Sequence, residues 1–375
     1  IEMTVAVIEG DRVMHLLPHL YPEHELFRNF ETGESFHSIY PLIKSANAYV
    51  GLVPIVEALK NKAQIIIAGR VTDSAIAMAP MVYEFGWKLN DWDKLGAGMI
   101  AAHTIECGTQ CTGGNFTDWH LIENWDNLGF PFVEIFSDGT FYVTKHEFTG
   151  GLVSVNTVKE QLLYEISDPK RYFSPDVIAD LTNLKVDEIK ENVVRVSGGK
   201  GRPPTRKLKV SMSFHAGFQS RGSIIISGPN VLSKAKKFEK IFWSKLKIDF
   251  EKKNTEYVGY NACHFGLVTS EKSNEILLQF YAFDKDINKL EQFSKVLSSL
   301  ILSGPPGVAV TSGRPKIQQT MAYWPTYIDK ELVKVSVKLL NVFGEEVSDF
   351  PVGLITNYEE NEPLETEHQE ASIGK

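Results

Sequence analysis

The sequence predicts an α/β protein: a mixed or parallel sheet with flanking helices, followed by an α+β domain of strand–strand–helix repeats. Two short apolar runs, at residues 3–8 and 64–68, have the continuous pattern of strands covered on both faces. Helix-like segments alternate with them over the first part of the chain, as in a sheet with helices on its faces. Beyond residue 205 the order strand, strand, helix occurs twice. The expected divisions are 1–195 for the α/β domain, 205–345 for the α+β domain and 346–375 for an acidic, disordered tail.

The elements follow in order. Residues 3–8 form a β-branched strand stopped by Glu9-Gly10-Asp11. Residues 12–44, interrupted by Pro18, Pro22 and Pro41, read as irregular apart from some helix around Asp11–Leu20. Proline opens a short helix over Pro54–Lys60, with Val56 and Leu59 on one side. Gln64–Ala68 is the second strand, and Gly69-Arg70-Val71-Thr72-Asp73-Ser74 leads from its end into a helix to Phe85. Gly96–Cys107 reads as a helix whose small residues allow close packing. Ser137-Asp138-Gly139, between Val133–Ile135 and Thr140–Thr144, has hairpin chemistry. Val158–Ile166 reads as a helix that stops before Asp168-Pro169. Residues 195–207 form a basic loop rich in Gly and Pro. Strands Lys207–Phe214 and Ser223–Ile226 then precede a lysine-rich helix over Val231–Leu246. Strands Glu256–Ala262 and Glu275–Tyr281 precede a helix over Ile287–Leu302, giving one antiparallel sheet covered by two helices. Val333–Leu340 supplies a last strand, and the acidic tail from Glu359 is expected to fray.

Composition narrows the function. The chain has 375 residues, 43% hydrophobic and 23% charged, a globular balance that needs neither metal nor crosslinks to fold. Lys and Arg number 39 against 47 Asp and Glu, and a net charge of −8 argues against general nucleic-acid affinity. Three cysteines (Cys107, Cys111 and Cys263) make no disulfide framework, so a reducing, cytoplasmic compartment is the default. Neither a membrane span nor a secretory signal is visible. The chain opens inside an apolar run without an initiator Met, which suggests that an upstream piece of the fold is missing.

In sheets with helices on their faces, ligands sit at the carboxyl ends of the strands. Glu9-Gly10-Asp11 and the segment from Gly69 to Asp73 both fall there. Arg70 at a helix N-terminus suits a carboxylate or phosphate. The same segment also reads as a helix capped by Thr72 or Asp73, with Arg70 paired to an acidic neighbour. His103 and Glu106, three apart on a helix, share a face and make an acid/base pair or two metal ligands. No further cluster at ligand spacing accompanies them, so no metal is assigned and a structural His–Glu bond is the alternative.

Residues 108–116 form a glycine-bearing loop around Gly113, Gly114 and Asn115, suited to close approach by a ligand or to an ordinary turn. It matches neither the Walker nor the dinucleotide fingerprint, and no cofactor is identified. Cys107 and Cys111 lack redox spacing and read as structural thiols. The basic loop, with Arg195, Lys200, Arg202, Arg206, Lys207 and Lys209, is either a solvated linker or a clamp for the phosphates of a coenzyme A thioester. Lys145, just upstream of Thr149-Gly150-Gly151, adds an anion contact to the second reading.

An ordered set of motifs runs through these segments. It includes Ser45-Ala46-Asn47-Ala48-Tyr49-Val50-Gly51, Gly69-Arg70-Val71-Thr72-Asp73-Ser74, His103-Thr104-Ile105-Glu106-Cys107-Gly108 and Thr112-Gly113-Gly114-Asn115-Phe116. Thr149-Gly150-Gly151-Leu152-Val153, Pro175-Asp176-Val177, Gly201-Arg202-Pro203 and Ser303-Gly304-Pro305-Pro306-Gly307 continue it. Together they resemble the acyclic terpene utilisation (AtuA) family over residues 1–330. Members usually open with a further segment carrying a glycine-rich loop, and many end in a small C-terminal domain. Neither is found in this sequence, so a site that draws on that loop would be incomplete. The resemblance implies a place in the breakdown of acyclic terpenols, whose intermediates travel as branched acyl-CoA thioesters.

The expected function is therefore an enzyme or enzyme subunit acting on branched acyl-CoA or terpenoid acids, as a lyase, hydratase or isomerase. The alternative is a noncatalytic binding or scaffold subunit of an acyl-CoA enzyme complex. Arg70 would hold an anionic group, with Lys145 and Arg202 as further contacts. His103 with Glu106 or Asp73 would move a proton, and Asn47 and Asn115 would hydrogen-bond a carbonyl beside Gly113 and Gly114. The expected partners are a small-molecule substrate and other subunits, as a homo-oligomer or within a complex, with neither nucleic acid nor membrane.

Overall fold

The computed structural model describes residues 3–20, 27–264, 267, 273–311 and 313–358; the acidic tail from Glu359 lies outside the described residues. The chain divides into two compact units. The first comprises residues 1–38, 45–212 and 325–375, and the second comprises 39–44 and 213–324.

The first unit is α/β, and its main sheet is mixed. Val5–Glu9 lies between Ile65–Ala68, parallel to it, and Val335–Leu340, antiparallel to it. Glu346–Val352, within the stretch expected to be a tail, forms the far edge by pairing with Val335–Leu340. Ala6, Ile8, Val335, Val337 and Leu339 are buried on the face where helix Val53–Lys60 packs. The opposite face differs from expectation. Ile65 and Ile67 are 44% and 55% exposed, so this strand is covered on one face only. It is the edge strand of its sheet, and an apolar run reports hydrophobicity, not the number of layers around it.

Helix Asp73–Phe85 and helix Trp92–Glu106 pack against each other. The small residues of the second allow a close approach to strand Lys200–Arg202. A Cβ at Gly96 would lie 2.4 Å from the Lys200 carbonyl, and one at Gly201 would lie 1.9 Å from that of Trp92. The basic stretch expected to be a loop thus carries strands Val193–Ser197 and Lys200–Arg202. Strands so short leave no alternation to read. Val193–Ser197 belongs to an antiparallel sheet with Lys185–Lys190 and the hairpin Pro131–Ile135/Phe141–Lys145. Lys200–Arg202 pairs with Ile178–Asp180, which pairs in turn with Tyr172–Phe173. Helix Val155–Leu163 starts earlier than expected because Ser154 caps it, its side chain accepting from Thr157 N–H. Among the described residues no helix is long and apolar enough to cross a membrane.

The second unit is an antiparallel sheet carrying helices Val231–Leu246 and Ile287–Leu300. Strand Lys207–Ser227 is continuous where the sequence predicts two strands, and its part from Ser213 onward belongs to this unit. It pairs with Glu275–Asp284, which also pairs with Lys252–Val258. Apolar residues at helical spacing (Ala235, Phe238, Phe242, Leu246) meet Leu290, Phe293 and Leu297 over the strand residues Leu278 and Phe280. Phe242 is fully buried, with its ring centroid 4.2 Å from Phe280 and 5.4 Å from Phe293. Phe242→Ala is expected to destabilise this unit by about 3–5 kcal/mol, read from the shift of its urea midpoint.

Candidate functional site

The tips of the two parallel strands meet around one carboxylate. The turn after Val5–Glu9 needs Gly10, whose φ is +116° and whose Cβ position lies 2.1 Å from the Lys334 carbonyl. It delivers Asp11, which is 8% exposed and accepts from Asn47 Nδ2 at 2.7 Å and from Arg70 N–H at 2.9 Å. Asn47 and Arg70, which the sequence points to separately, are therefore joined by Asp11, which the sequence places at a strand end without assigning it a role. Gly69 makes room for this carboxylate, because a Cβ there would lie 2.1 Å from Asp11 Oδ1. Gly69→Ala is expected to displace Asp11 and cost about 1–3 kcal/mol, checked by thermal melting.

Past the strand end, Val50 and Val71 bridge in parallel, which sets Tyr49 beside Arg70. The Arg70 guanidinium donates to Tyr49 Oη at 2.8 Å and lies 4.2 Å from the centre of its ring. Thr72 precedes helix Asp73–Phe85 without a side-chain capping bond, and Asp73 occupies the first turn.

Asp73 faces a cleft of about 460 Å³ that it shares with Glu106, Glu165 and Cys107, walled by Ile76, Ala77, Ala102 and Ile105. His103 stands behind this cleft. It is 1% exposed, and its Nδ1 lies 2.9 Å from Glu106 Oε1, whose side chain keeps 18% exposure. Helical spacing of three residues alone brings the pair together. Gln161 fixes the backbone behind it, with Nε2 donating to the His103 carbonyl at 2.8 Å. The Tyr172 ring packs edge-on against the imidazole at 5.3 Å. Burial, and then the charges of Glu106, Asp73, Glu165 and Cys107, hold the Tyr172 phenol above its ordinary pKa. Burial likewise raises the Cys107 thiol and pushes Cys111 up to about 12, so neither is poised as a nucleophile. An imidazole carrying its proton on Nδ1 donates it to Glu106, leaving a buried Nε2 that meets no partner. The arrangement suits proton transfer: Glu106 meets the cleft, and His103 sits behind it as a proton partner.

The glycine loop belongs to a different neighbourhood. Gly113 adopts φ +109° against Ile122, Gly114 lies against Thr109, and Asn115 takes the left-handed φ of +60° that asparagine tolerates. Thr112 links the loop to the Gly129 carbonyl at 2.6 Å and accepts the Leu152 N–H. Lys145 lies on this side too, with Nζ donating to the Thr149 carbonyl at 2.7 Å. Arg202 lies opposite Ile178 in its short strand. The structure thus joins Asn47 with Arg70, and His103 and Glu106 with Asp73. It gathers Gly113, Gly114, Asn115 and Lys145 elsewhere.

A second buried charge system adjoins the strand tips. Asp176, 2% exposed, accepts the Leu52 N–H at 2.9 Å, and Lys330, 3% exposed, donates to the carbonyls of Pro175 at 2.7 Å and Ile355 at 3.4 Å. Burial raises Asp176 to about 6, opposed in part by the Leu52 N–H and the Lys330 charge, and lowers Lys330 to about 8, opposed in part by the Asp176 charge. Gly51 is required here, its Cβ position lying 2.1 Å from Asp176 Oδ1. Sequence reasoning assigns no role to Asp176 or Lys330. Among the described residues, no group of three or more His, Cys, Asp and Glu could hold a metal ion.

The family model for the acyclic terpene utilisation family protein AtuA matches residues 1–339. No curated protein and no solved structure gives a significant match.

Proposed function

Because this chain belongs to the acyclic terpene utilisation (AtuA) family, we propose that it is an enzyme acting on branched acyl-CoA thioesters or terpenoid acids by moving a proton. The observation that carries this reading is the His103–Glu106 pair opening, through Glu106, onto a cleft with apolar walls. Ile76, Ala77, Ala102 and Ile105 would receive the branched hydrocarbon, and Glu106 would take a proton from the carbon beside the carbonyl. With a β,γ-unsaturated acyl group, returning that proton at the γ carbon is isomerisation; with a β-hydroxyacyl group, loss of the β-hydroxyl as water is dehydration, and the reverse is hydration. His103 would share the proton and hold Glu106 in place, and Asp73 would act as the second carboxylate. A cytoplasmic location and assembly into a homo-oligomer or larger complex belong to the same proposal.

The test is incubation of the protein in heavy water with a panel of branched acyl-CoA esters and free terpenoid acids, followed by mass spectrometry. Deuterium gained by a recovered substrate or product is expected. Saturable binding of an acyl-CoA with neither exchange nor turnover would instead support a noncatalytic scaffold subunit. That second reading draws on exposed aromatic side chains, with Trp119 at 64%, Phe130 at 69% and Phe148 at 97%.

A further inference from the structure

The acid–base reading leaves a second cavity unused. It has a volume of about 180 Å³ and sits where Tyr49 meets the start of strand Lys207–Ser227. Its charge is of one sign. Lys207 and Lys209 line it, no carboxylate does among the described residues, and Arg70 braces its Tyr49 wall from behind. Its walls are aromatic: Tyr49, Phe173 and Tyr327. Lys209 Nζ lies 5.5 Å from the Tyr49 ring and 5.9 Å from that of Phe30, which is stacked on Tyr327 at 4.6 Å. The hydroxyl of Tyr49 accepts from Arg70, so its own proton remains to be donated.

We propose that this cavity binds the free carboxylate of a short branched or aromatic acid, with the anion at Lys207 and Lys209 and the hydrocarbon against Tyr49, Phe173 and Tyr327. The cations set the sign of the ligand's charge. The rings ask for an apolar body, which a bare phosphate lacks. The size matches: sites for drug-sized ligands hold about 300–1,000 Å³, and this smaller cavity suits a short acid. The cavity uses none of the residues assigned to proton transfer, and the inference stands if Glu106 proves inert.

Calorimetry on the full chain with 3-methylbutanoate, benzoate, inorganic phosphate and free coenzyme A tests it. The two acids are expected to bind at one site per chain, more weakly at high salt, and phosphate and coenzyme A are expected not to displace them. Lys207→Gln and Tyr49→Phe are each expected to weaken binding by about tenfold or more, the loss of one charge-assisted or buried hydrogen bond. Lys207→Arg should restore most of the affinity, and Glu106→Gln should leave it unchanged. Unaltered melting temperatures identify the loss as local. Absence of saturable binding by either acid overturns the proposal, as does binding indifferent to both weakening variants. Displacement of benzoate by phosphate or coenzyme A overturns the carboxylate assignment, and none of these outcomes bears on exchange at Glu106.

Discussion

Lys330→Met is expected to destabilise the protein by about 3–5 kcal/mol, the cost of leaving one buried charge without its partner. Lys330 is 3% exposed, and its ammonium holds the carbonyls of Pro175 and Ile355 while its charge offsets that of Asp176, which is 2% exposed. Methionine fills a similar volume but leaves two carbonyls without their donor and the Asp176 carboxylate, still bonded to the Leu52 N–H, without its compensating charge. A fall of roughly 10 °C in melting temperature should follow. Adding Asp176→Asn to this variant is expected to recover part of the loss, because the stranded charge is then gone. No loss in the single variant, or a double variant worse by the sum of both single effects, would remove the electrostatic explanation.

The pH dependence of that loss has a definite sign. Asp176 is raised in the fold to about 6, so its favourable contribution is present below its unfolded pKa and is lost as pH rises through 6. Lys330 is lowered to about 8, so its contribution is present above its unfolded pKa and is lost as pH falls through 8. Both groups are charged between these values, and the fold then depends most on their attraction. The gap in melting temperature between the native chain and Lys330→Met should be widest from about pH 6 to 8. It should narrow at pH 5, where Asp176 takes up a proton, and again above pH 8, where Lys330 releases one.

The same pair shows what a sequence conceals. Helix Val231–Leu246 was readable to the residue because its apolar face repeats within the helix itself. The His103–Glu106 pair was readable for the same reason, since helix spacing fixes their distance without help from elsewhere. Val335–Leu340 reads as a strand, but nothing in it announces that its neighbour is Val5–Glu9 at the other end of the chain. Asp11 looks like a turn residue until Asn47 and Arg70 close on it. Glu165 enters the cleft from just past the end of helix Val155–Leu163, within the stretch read as helix, and Tyr172 reaches the His103 ring from a segment without periodic pattern. Local chemistry was legible, whereas contacts made only by tertiary closure were not.

Glu106→Gln is expected to lower proton exchange by about 10²–10⁴-fold, the contribution of a placed general acid or base. Glutamine keeps the size and an oxygen able to accept from His103 Nδ1, so helix Trp92–Glu106 and the cleft should persist, but it cannot take up the proton. Substrate binding should change little, separating chemistry from affinity. His103→Gln should act differently. It leaves Glu106 in the cleft but removes the imidazole contact at 2.9 Å, so exchange should fall by less than in Glu106→Gln instead of vanishing. The Tyr172 ring packed on His103 makes some loss of stability inevitable, and rates are therefore compared at a temperature where both variants are folded. Exchange undiminished in a folded Glu106→Gln protein would place the chemistry outside this cleft. Exchange undiminished in a folded His103→Gln protein would remove the role given to His103.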